Sequence, residues 1–383
     1  MRSKLTGVGN SIFSEMTLAA TTHGALNLAQ GFPEFGPPDR LRLALAESMH
    51  LPVHQYAPMP GLLSLRSGVS NDFSGHPDPV SEVTIVPGAT VGIFVAIQAF
   101  VHPGDEVVLL EPAYDSYAPA VRLAGGIPVP VPLAFDPLTG FSVDFDRLQS
   151  AFSSKTRAIL VNTPHNPTGI VWSAADWQKL ALIWPSDNAL LLSDEVYYTM
   201  VFDGSSHVSA WSVEALRHRA LVFTSFGKTF HATGWKMGAV IASAALTQEF
   251  RKVYQFVAFS AHTPSQHAFS VMFTEQPQFS STLAAFYEKK RQILLDALHG
   301  TGCRALPCAG AYFVVVDTSD WPETDNDRSL AHRMAESAKV ASVPLSPFFS
   351  APFSGRLLRL CFAKEDATLR EAGERIRMWR NTH

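Results

Sequence analysis

Short apolar runs alternate with helix-like stretches along the chain from residue 83 onward. Residues 83–86 form an apolar run that predicts a strand, and residues 90–101 predict a helix after the Pro87-Gly88 turn. The order repeats, with helices predicted over 144–152 and 174–184 and strands over 106–110, 127–131, 158–161, 190–193, 221–224 and 238–242. Several runs are apolar without alternation, as strands covered on both faces are. The pattern predicts βαβ units around a mostly parallel sheet.

A different pattern begins near residue 282. A helix predicted over 283–298 is followed by a strand over 312–316, a further helix, and a strand over 357–362. This order predicts a separate α+β domain, and the N-terminal segment to about residue 38 is too short to fold alone. We therefore predict an α/β protein with a large domain over 39–280 and a smaller α+β domain from residues 1–38 and 281–383.

The composition narrows the class of protein. The chain has 383 residues, and 30 Lys and Arg against 34 Asp and Glu give a net charge of −4. This balance argues against a nucleic-acid partner, because binding many phosphates requires clustered basic residues. Charged residues make up 17% of the chain, against about 25% in typical soluble domains. So few charges predict a large buried fraction, extended by a subunit interface.

The cysteine, histidine and hydropathy patterns predict a soluble, cytoplasmic protein without a metal site or a membrane partner. Cys303, Cys308 and Cys361 form no CxxC pair, which favours a reducing compartment. The N-terminus has no apolar core of signal-peptide length. The charge-free stretch over 83–104 is interrupted at Gly88 and falls short of the roughly 20 apolar residues that span a membrane. The 14 histidines show no HExxH or clustered ligand spacing.

Candidate chemistry lies where predicted strands end, because ligands of open α/β sheets bind beyond the carboxyl ends of strands. Gly88, Ala89 and Thr90 open a helix whose N–H groups could bind phosphate, although an ordinary strand-to-helix turn is the simpler explanation. A proline-rich turn presents Asn166 after the strand over 158–161. Asp194 follows a buried strand, where a carboxylate must be paired or functional. A buried salt bridge or a helix cap is the alternative for Asp194.

Two lysines follow the predicted strand over 221–224. Lys228 lies among small and aromatic residues such as Phe226 and Phe230. Burial there would remove water from the ammonium group and lower its pKa, as a lysine that bonds covalently to a carbonyl compound requires. Lys236 would stay charged and could pair with an anion. A solvated surface lysine is the usual alternative, but the apolar neighbours of Lys228 disfavour it.

Three motifs resemble those of the fold-type I pyridoxal-phosphate aminotransferases of class I and II: Asn166-Pro167-Thr168-Gly169, Ser193-Asp194-Glu195-Val196-Tyr197, and Ser225-x-x-Lys228 followed by Lys236. The resemblance extends from residues 27–33 to residues 359–364. Within the family, the motifs over 55–59, 114–119 and 225–229 are most similar to those of methionine and kynurenine (glutamine-type) aminotransferases. The resemblance implies an aspartate-aminotransferase-like fold, a pyridoxal 5′-phosphate cofactor and a homodimer with shared active sites.

The resemblance also implies the roles of individual residues. Lys228 would bond covalently to the cofactor and, once released, would move the proton at the substrate Cα. Asp194 would pair with the pyridine nitrogen of the cofactor, and Arg359 would bind the substrate α-carboxylate. The implied cofactor-binding residues are Ala89, Thr90, Tyr114, Asn166, Asp194, Tyr197, Ser225, Lys228, Lys236 and, from a second subunit, Tyr56. The implied substrate-binding residues are Gly31, Phe32, Asn166 and Arg359.

The leading hypothesis is a ping-pong transamination that moves the amino group of methionine, and of aromatic amino acids or glutamine, to a 2-oxo acid. No arginine near the motifs is placed for a dicarboxylate side chain, and the aromatic residues around them favour an apolar or sulfur-containing donor: Phe13, Phe32, Tyr114, Phe259 and Phe349. A carbon–sulfur β-lyase is the alternative, because the same cofactor residues serve both reactions. A regulatory domain is less favoured, because the chain lacks the basic DNA-binding module that accompanies such domains. His231 either lines the site or packs in the core.

Overall fold

The computed structural model describes residues 3–322 and 326–382. All nine predicted strands are present, and the described residues contain six further strands of two or three residues that were not predicted. The predicted strands over 83–86 and 238–242 have the observed bounds, and the others differ by one or two residues at an end. In chain order the strands are β1 Leu26–Asn27, β2 Val83–Val86, β3 Glu106–Glu111, β4 Ile127–Pro132, β5 Ala134–Asp136, β6 Gly140–Ser142, β7 Thr156–Asn162, β8 Leu190–Asp194, β9 Ala220–Ser225, β10 Gly238–Ala242, β11 Arg304–Ala305, β12 Phe313–Asp317, β13 Val340–Ala341, β14 Val343–Pro344 and β15 Leu357–Cys361.

The helices include those predicted over 90–101, 144–152, 174–184 and 283–298, the last of which begins four residues early. They are α1 Ile12–His23, α2 Asp39–Ser48, α3 Leu63–Asp72, α4 Ala89–Phe100, α5 Tyr117–Leu123, α6 Phe145–Ser150, α7 Ala174–Leu182, α8 Glu214–Arg217, α9 Phe226–Thr229, α10 Ala244–Val257, α11 Thr263–Glu275, α12 Phe279–Ala297, α13 Asp327–Arg333 and α14 Asp366–Asn381. Local sequence explains several ends. Ser173 and Asp176 form a capping box at the start of α7, and Gly24 ends α1 with φ 59°.

Among the described residues, a seven-stranded sheet has the order β2-β10-β9-β8-β7-β3-β4. Strand β10 is antiparallel to both of its neighbours, and the other adjacent pairs are parallel. Alternate side chains of β3 enter two separate apolar clusters, Val107 and Leu109 in one, Val108 and Leu110 in the other. The sheet is therefore packed on both faces, which explains why its strands are apolar without alternation. The predicted mostly parallel sheet is confirmed.

The C-terminal part of the chain forms a second sheet, ordered β11-β12-β15-β14, in which adjacent strands are antiparallel. Strand β1 pairs with β13 in parallel, and the Leu28 carbonyl accepts a hydrogen bond from the Cys361 N–H at the end of β15. The N-terminal segment therefore lies beside C-terminal elements. The boundary at 280/281 falls within the first turn of α12, and the division into two domains stays a prediction. No described helix is both long and apolar enough to cross a membrane.

The contact between α12 and α14 depends on a residue without a side chain. A Cβ at Gly373 would overlap the backbone carbonyl of Ala297. We therefore expect Gly373→Ala to reduce the free energy of unfolding by about 1–3 kcal/mol, because the two helices must move apart. In an unpacked helix the same change would raise that free energy by about 1 kcal/mol. Chemical unfolding of the purified protein measures the difference.

Met378 provides the matched control on the same helix, because its side chain is 63% exposed. Met378→Ala should change the free energy of unfolding by no more than about 0.5 kcal/mol. A stabilised Gly373→Ala variant would show that the helices do not pack closely at this glycine.

Candidate active site

A cavity of about 280 Å³ lies where several strands of the large sheet end. The parallel strands β7, β8 and β9 end at Asn162, Asp194 and Ser225, and these three residues line the cavity. Because β10 is antiparallel, its first residue lies at the same edge, and Lys236 comes two residues before it. The topology thus gathers side chains from distant parts of the sequence at one edge of the sheet.

Most of the residues implied by the family resemblance line this cavity: Gly31, Ala89, Thr90, Tyr114, Asn166, Asp194, Tyr197, Ser225, Lys228, Lys236 and Arg359. Phe32 is not among them. Its side chain is 40% exposed, and the Lys364 ammonium nitrogen lies 4.7 Å from the centre of its ring. Tyr56 also lies elsewhere on this chain, 82% exposed and edge-on to Phe259 at 5.2 Å between ring centres.

Lys228 lies on the one-turn helix α9, directly after β9. Its Nζ donates hydrogen bonds to the Tyr312 hydroxyl at 2.7 Å and to the Gly31 carbonyl at 2.9 Å. Burial lowers the pKa of Lys228 from 10.5 to about 8, because the ammonium group loses water inside the protein. About a tenth of the amine is therefore neutral at pH 7, and this neutral form can act as a nucleophile or base. This agrees with the prediction from its apolar neighbours.

Asp194 ends β8 with its carboxylate buried. The Tyr117 hydroxyl donates to its Oδ2 at 2.5 Å, and the Val196 N–H donates to its Oδ1 at 3.3 Å. The Asn162 side chain holds the backbone here, donating to the Asp194 carbonyl at 2.8 Å. Burial raises the pKa of Asp194 to about 6, because water no longer stabilises the carboxylate. A cationic ring in the cavity would reverse that shift, so this carboxylate suits a protonated pyridine.

The start of α4 has the properties of an anion site. Gly88 precedes the helix with φ 85°, and no side chain of the described residues caps the first N–H groups of α4. Ser225 and Lys236 line the cavity beside the first residues of the helix, and a Cβ on Gly88 would lie 3.5 Å from Lys236 Nζ. Free N–H groups, the positive end of the helix dipole and an ammonium group together suit a phosphate.

Arg359 is a fully buried cation in the middle of β15. Its guanidinium donates to Asn166 Oδ1 and to the Ala29 carbonyl, each at 2.6 Å. The ring centres of Phe313 and Phe13 lie 3.9 Å and 5.0 Å from its Cζ. Its Nε has no hydrogen-bond partner within the described part of the chain. Burial lowers the pKa of Arg359 below its usual value, and an incoming carboxylate would supply the missing counter-charge.

Sequence reasoning missed three polar contacts of the site. Tyr117 and Asn162 support Asp194, and Tyr312 binds Lys228. Asn162 follows an apolar strand, so the rule used for Asp194 could have found it. Tyr312 has no such signal, because it precedes a strand of the other sheet.

His231 and the aromatic residues divide between the cavity and the core. The His231 ring packs edge-on against Phe35 at 4.7 Å and Tyr287 at 5.8 Å, and it does not line the cavity. Burial lowers its pKa to about 4, because the charged ring would lose water. Phe13 and Tyr114 line the cavity, whereas Phe259 and Phe349 do not. Within the described residues, no group of three or more His, Cys, Asp and Glu could hold a metal ion.

Comparison with known proteins identifies the family. A family model described as aminotransferase class I and II matches residues 24–376. A methionine aminotransferase of Escherichia coli K12 is 40% identical over 380 residues, which cover 98% of this chain and 97% of that protein. Kynurenine–oxoglutarate transaminase 3 of Mus musculus is 32% identical over 406 residues, covering 98% of this chain and 89% of that protein.

Solved structures agree with this result. A crystal structure of a methionine aminotransferase from Escherichia coli superposes with a TM-score of 0.95 at 40% identity, covering 99% of each chain. An aspartate aminotransferase variant from Thermus thermophilus gives 0.88 at 28% identity, covering 99% of this chain and 100% of that chain. The predicted aspartate-aminotransferase-like fold is therefore confirmed. The chain belongs to the class I and II aminotransferases, a family of enzymes that depend on pyridoxal phosphate.

Proposed function

We propose that this enzyme moves the amino group of methionine, and of related apolar or aromatic amino acids, to a 2-oxo acid. The observation that carries the proposal is the fully buried Arg359, a cation beside the cavity that also holds the Lys228 amine. Arg359 is the only arginine among the described residues that line the cavity, so a second carboxylate on the substrate would have no guanidinium partner on this chain. Phe13, Tyr114 and Phe313 offer apolar surface to the donor side chain. Similarity to a methionine aminotransferase supports the same donor.

The cavity fits pyridoxal phosphate. Free N–H groups at Ala89 and Thr90, with Ser225 and Lys236, suit its phosphate. The buried Asp194 carboxylate suits its protonated ring nitrogen, and Asn166 and Tyr197 present polar groups to the same space. Tyr114 suits stacking on the ring. When bound, the cofactor supplies an electron-accepting ring that stabilises the negative charge left at the substrate Cα.

Three side chains of this protein would bind the substrate, move its proton and pair with the cofactor ring. Arg359 binds the α-carboxylate through two parallel N–H groups and so orients the substrate. Lys228 takes the proton from the substrate Cα of the amino acid and, in the second half of the cycle, returns a proton to the Cα formed from the oxo acid. Asp194 keeps negative charge beside the cofactor ring throughout.

We also infer a homodimer in which Tyr56 enters the active site of the partner subunit. The motif around Tyr56 supports this inference, as does its 82% exposure on the single chain. Phe256, Phe259 and Leu63 are large apolar side chains that are likewise exposed, which is typical of a surface covered by another subunit. A cytoplasmic location is supported by the three free cysteines.

Absorption of the bound cofactor tests the proposed reaction. Methionine without an oxo acid should cause a lasting loss of the visible band, and an added 2-oxo acid should restore it. A thioether of cysteine offered in place of methionine tests the alternative, because release of a thiol, pyruvate and ammonia from it would instead assign the carbon–sulfur β-lyase reaction. An enzyme whose spectrum responds to no amino acid would contradict both assignments.

Lys228→Ala should lower kcat by at least about 10²–10⁴-fold, because the cycle loses the base that moves the Cα proton. Lys252→Ala is the control, since Lys252 is 58% exposed and pairs only with Glu249 among the described residues. Steady-state transamination of methionine measures both variants. Activity retained by Lys228→Ala would mean that another group is the base.

Arg359→Lys should raise the KM for methionine about 10- to 150-fold, equivalent to about 1.5–3 kcal/mol, because an ammonium group cannot make the paired contact with a carboxylate. Arg42→Lys, a substitution at a 62% exposed side chain, should leave KM unchanged. Initial rates across methionine concentrations give both constants. An unchanged KM in Arg359→Lys would place the carboxylate elsewhere.

A further inference from the structure

The hydroxyl of Tyr312 connects Lys228 to the N-terminal segment. Tyr312 is fully buried and comes directly before β12. Its hydroxyl donates to the Gly31 carbonyl at 2.6 Å and accepts from Lys228 Nζ at 2.7 Å. The Gly31 carbonyl also accepts from Lys228 Nζ, at 2.9 Å. Three groups that are far apart in the sequence thus form a closed triangle of hydrogen bonds.

Packing holds both acceptors of this triangle in place. The Tyr312 ring lies 4.7 Å from Phe313, 5.0 Å from Tyr197 and 5.6 Å from Tyr287, measured between ring centres. A Cβ on Gly31 would lie 2.8 Å from Phe313 Cζ, so the backbone at Gly31 is pressed against that ring. A core packed this closely leaves the hydroxyl and the carbonyl little freedom to move. The two acceptors are therefore arranged in advance for an amine.

The same N-terminal segment also holds Arg359. The Ala29 carbonyl accepts from the guanidinium at 2.6 Å, two residues before the carbonyl that accepts from Lys228. The Ala29 and Gly31 carbonyls therefore fix where Arg359 and Lys228 lie relative to each other. An amine displaced from this position would lose its alignment with a substrate held by Arg359.

We propose that Tyr312 is a positioning residue which, with the Gly31 carbonyl, holds the Lys228 amine whenever that amine is not bonded to the cofactor. The inference rests on the proposed role of Lys228 and adds a rest position for the released amine. In this position the amine lies beside the carboxylate-binding group and keeps two acceptors for its protons. Tyr312 itself does not take part in the proton transfer.

Removing the hydroxyl leaves an ammonium form of Lys228 with one acceptor in place of two. A hydrogen bond to a charged group contributes about 1.5–3 kcal/mol, or about one to two units of pKa. Burial already lowers the pKa of Lys228 to about 8. Tyr312→Phe should lower it further, because the remaining Gly31 carbonyl compensates less of the lost hydration.

Labelling of the full chain freed of cofactor tests the proposal without measuring activity. The rate at which an acylating reagent modifies Lys228, followed by mass spectrometry across pH, gives the midpoint of its titration. The midpoint should fall by about one to two units in Tyr312→Phe, so labelling near pH 7 should be about five- to tenfold faster. A midpoint equal to that of the unmodified chain would overturn the proposal.

Tyr287→Phe is the matched control. Tyr287 packs against the Tyr312 ring, yet its buried hydroxyl has no hydrogen-bond partner among the described residues. This variant should keep the labelling midpoint of the unmodified chain. If Tyr287→Phe shifts the midpoint as far as Tyr312→Phe does, repacking of the aromatic cluster explains the effect and the proposal fails.

A second substitution covers the case in which Tyr312→Phe does not fold. Replacing Tyr312 with 3-fluorotyrosine keeps the hydroxyl but makes its oxygen a weaker acceptor, so the midpoint should fall by a smaller amount in the same direction. A midpoint that stays unchanged or rises would contradict the proposal.

Kinetics separates this inference from the proposed function. Tyr312→Phe should lower kcat and move the pH profile of kcat towards acid, while the KM for methionine stays unchanged. An unchanged kcat profile would count against the rest position. Activity retained by Lys228→Ala would overturn the proposed function instead, whatever the labelling of Tyr312→Phe shows.

Discussion

The burial of one cation organises this site. The Arg359 guanidinium lies inside the protein between two aromatic rings, held by the Asn166 side chain and the Ala29 carbonyl. These neutral acceptors satisfy two nitrogens without neutralising the charge, and an isolated buried charge is destabilising by several kcal/mol. The arrangement is stable because β15, a turn of the large sheet and the N-terminal segment all contribute to it. The carboxylate of a ligand would neutralise the Arg359 charge, which the protein itself leaves without a counter-charge.

Burial also changes the charge behaviour of Lys228 and Asp194, but in opposite directions. Burial moves the pKa of Lys228 down to about 8 and that of Asp194 up to about 6, so both pKa values lie within about one unit of neutral pH. Each can therefore respond to its ligand: the amine by giving up a proton, the carboxylate by pairing with a cationic ring. Lys236 lies near the start of α4, where free backbone N–H groups also favour binding of an anion. One low-dielectric cavity thus serves three chemical tasks.

Much of the fold could be predicted because the signals are local. Apolar runs bounded by glycine and proline gave the strand bounds to within one or two residues, and β10 was found although its antiparallel direction was not. Lys228 and Asp194 stood out as charges directly after buried strands. Phe32, which the family resemblance implied as a substrate-binding residue, does not line the cavity of this chain, and its ring lies 4.7 Å from Lys364 Nζ. His231 packs in an aromatic cluster that sequence spacing could not distinguish from a site.

The amino-acid sequence by itself determined the fold class, the family and which strands are followed by polar or charged residues. Periodicity, turn residues and motif spacing are properties of residues close together in the chain, so these features could be predicted from it. Only the tertiary structure decided which groups meet. The bond from Tyr117 to Asp194 and the triangle of Tyr312, Gly31 and Lys228 join residues separated by 77 to 281 positions. Such contacts depend on how the two sheets and the N-terminal segment pack together. No local pattern in the chain specifies which of these distant residues come within hydrogen-bonding distance.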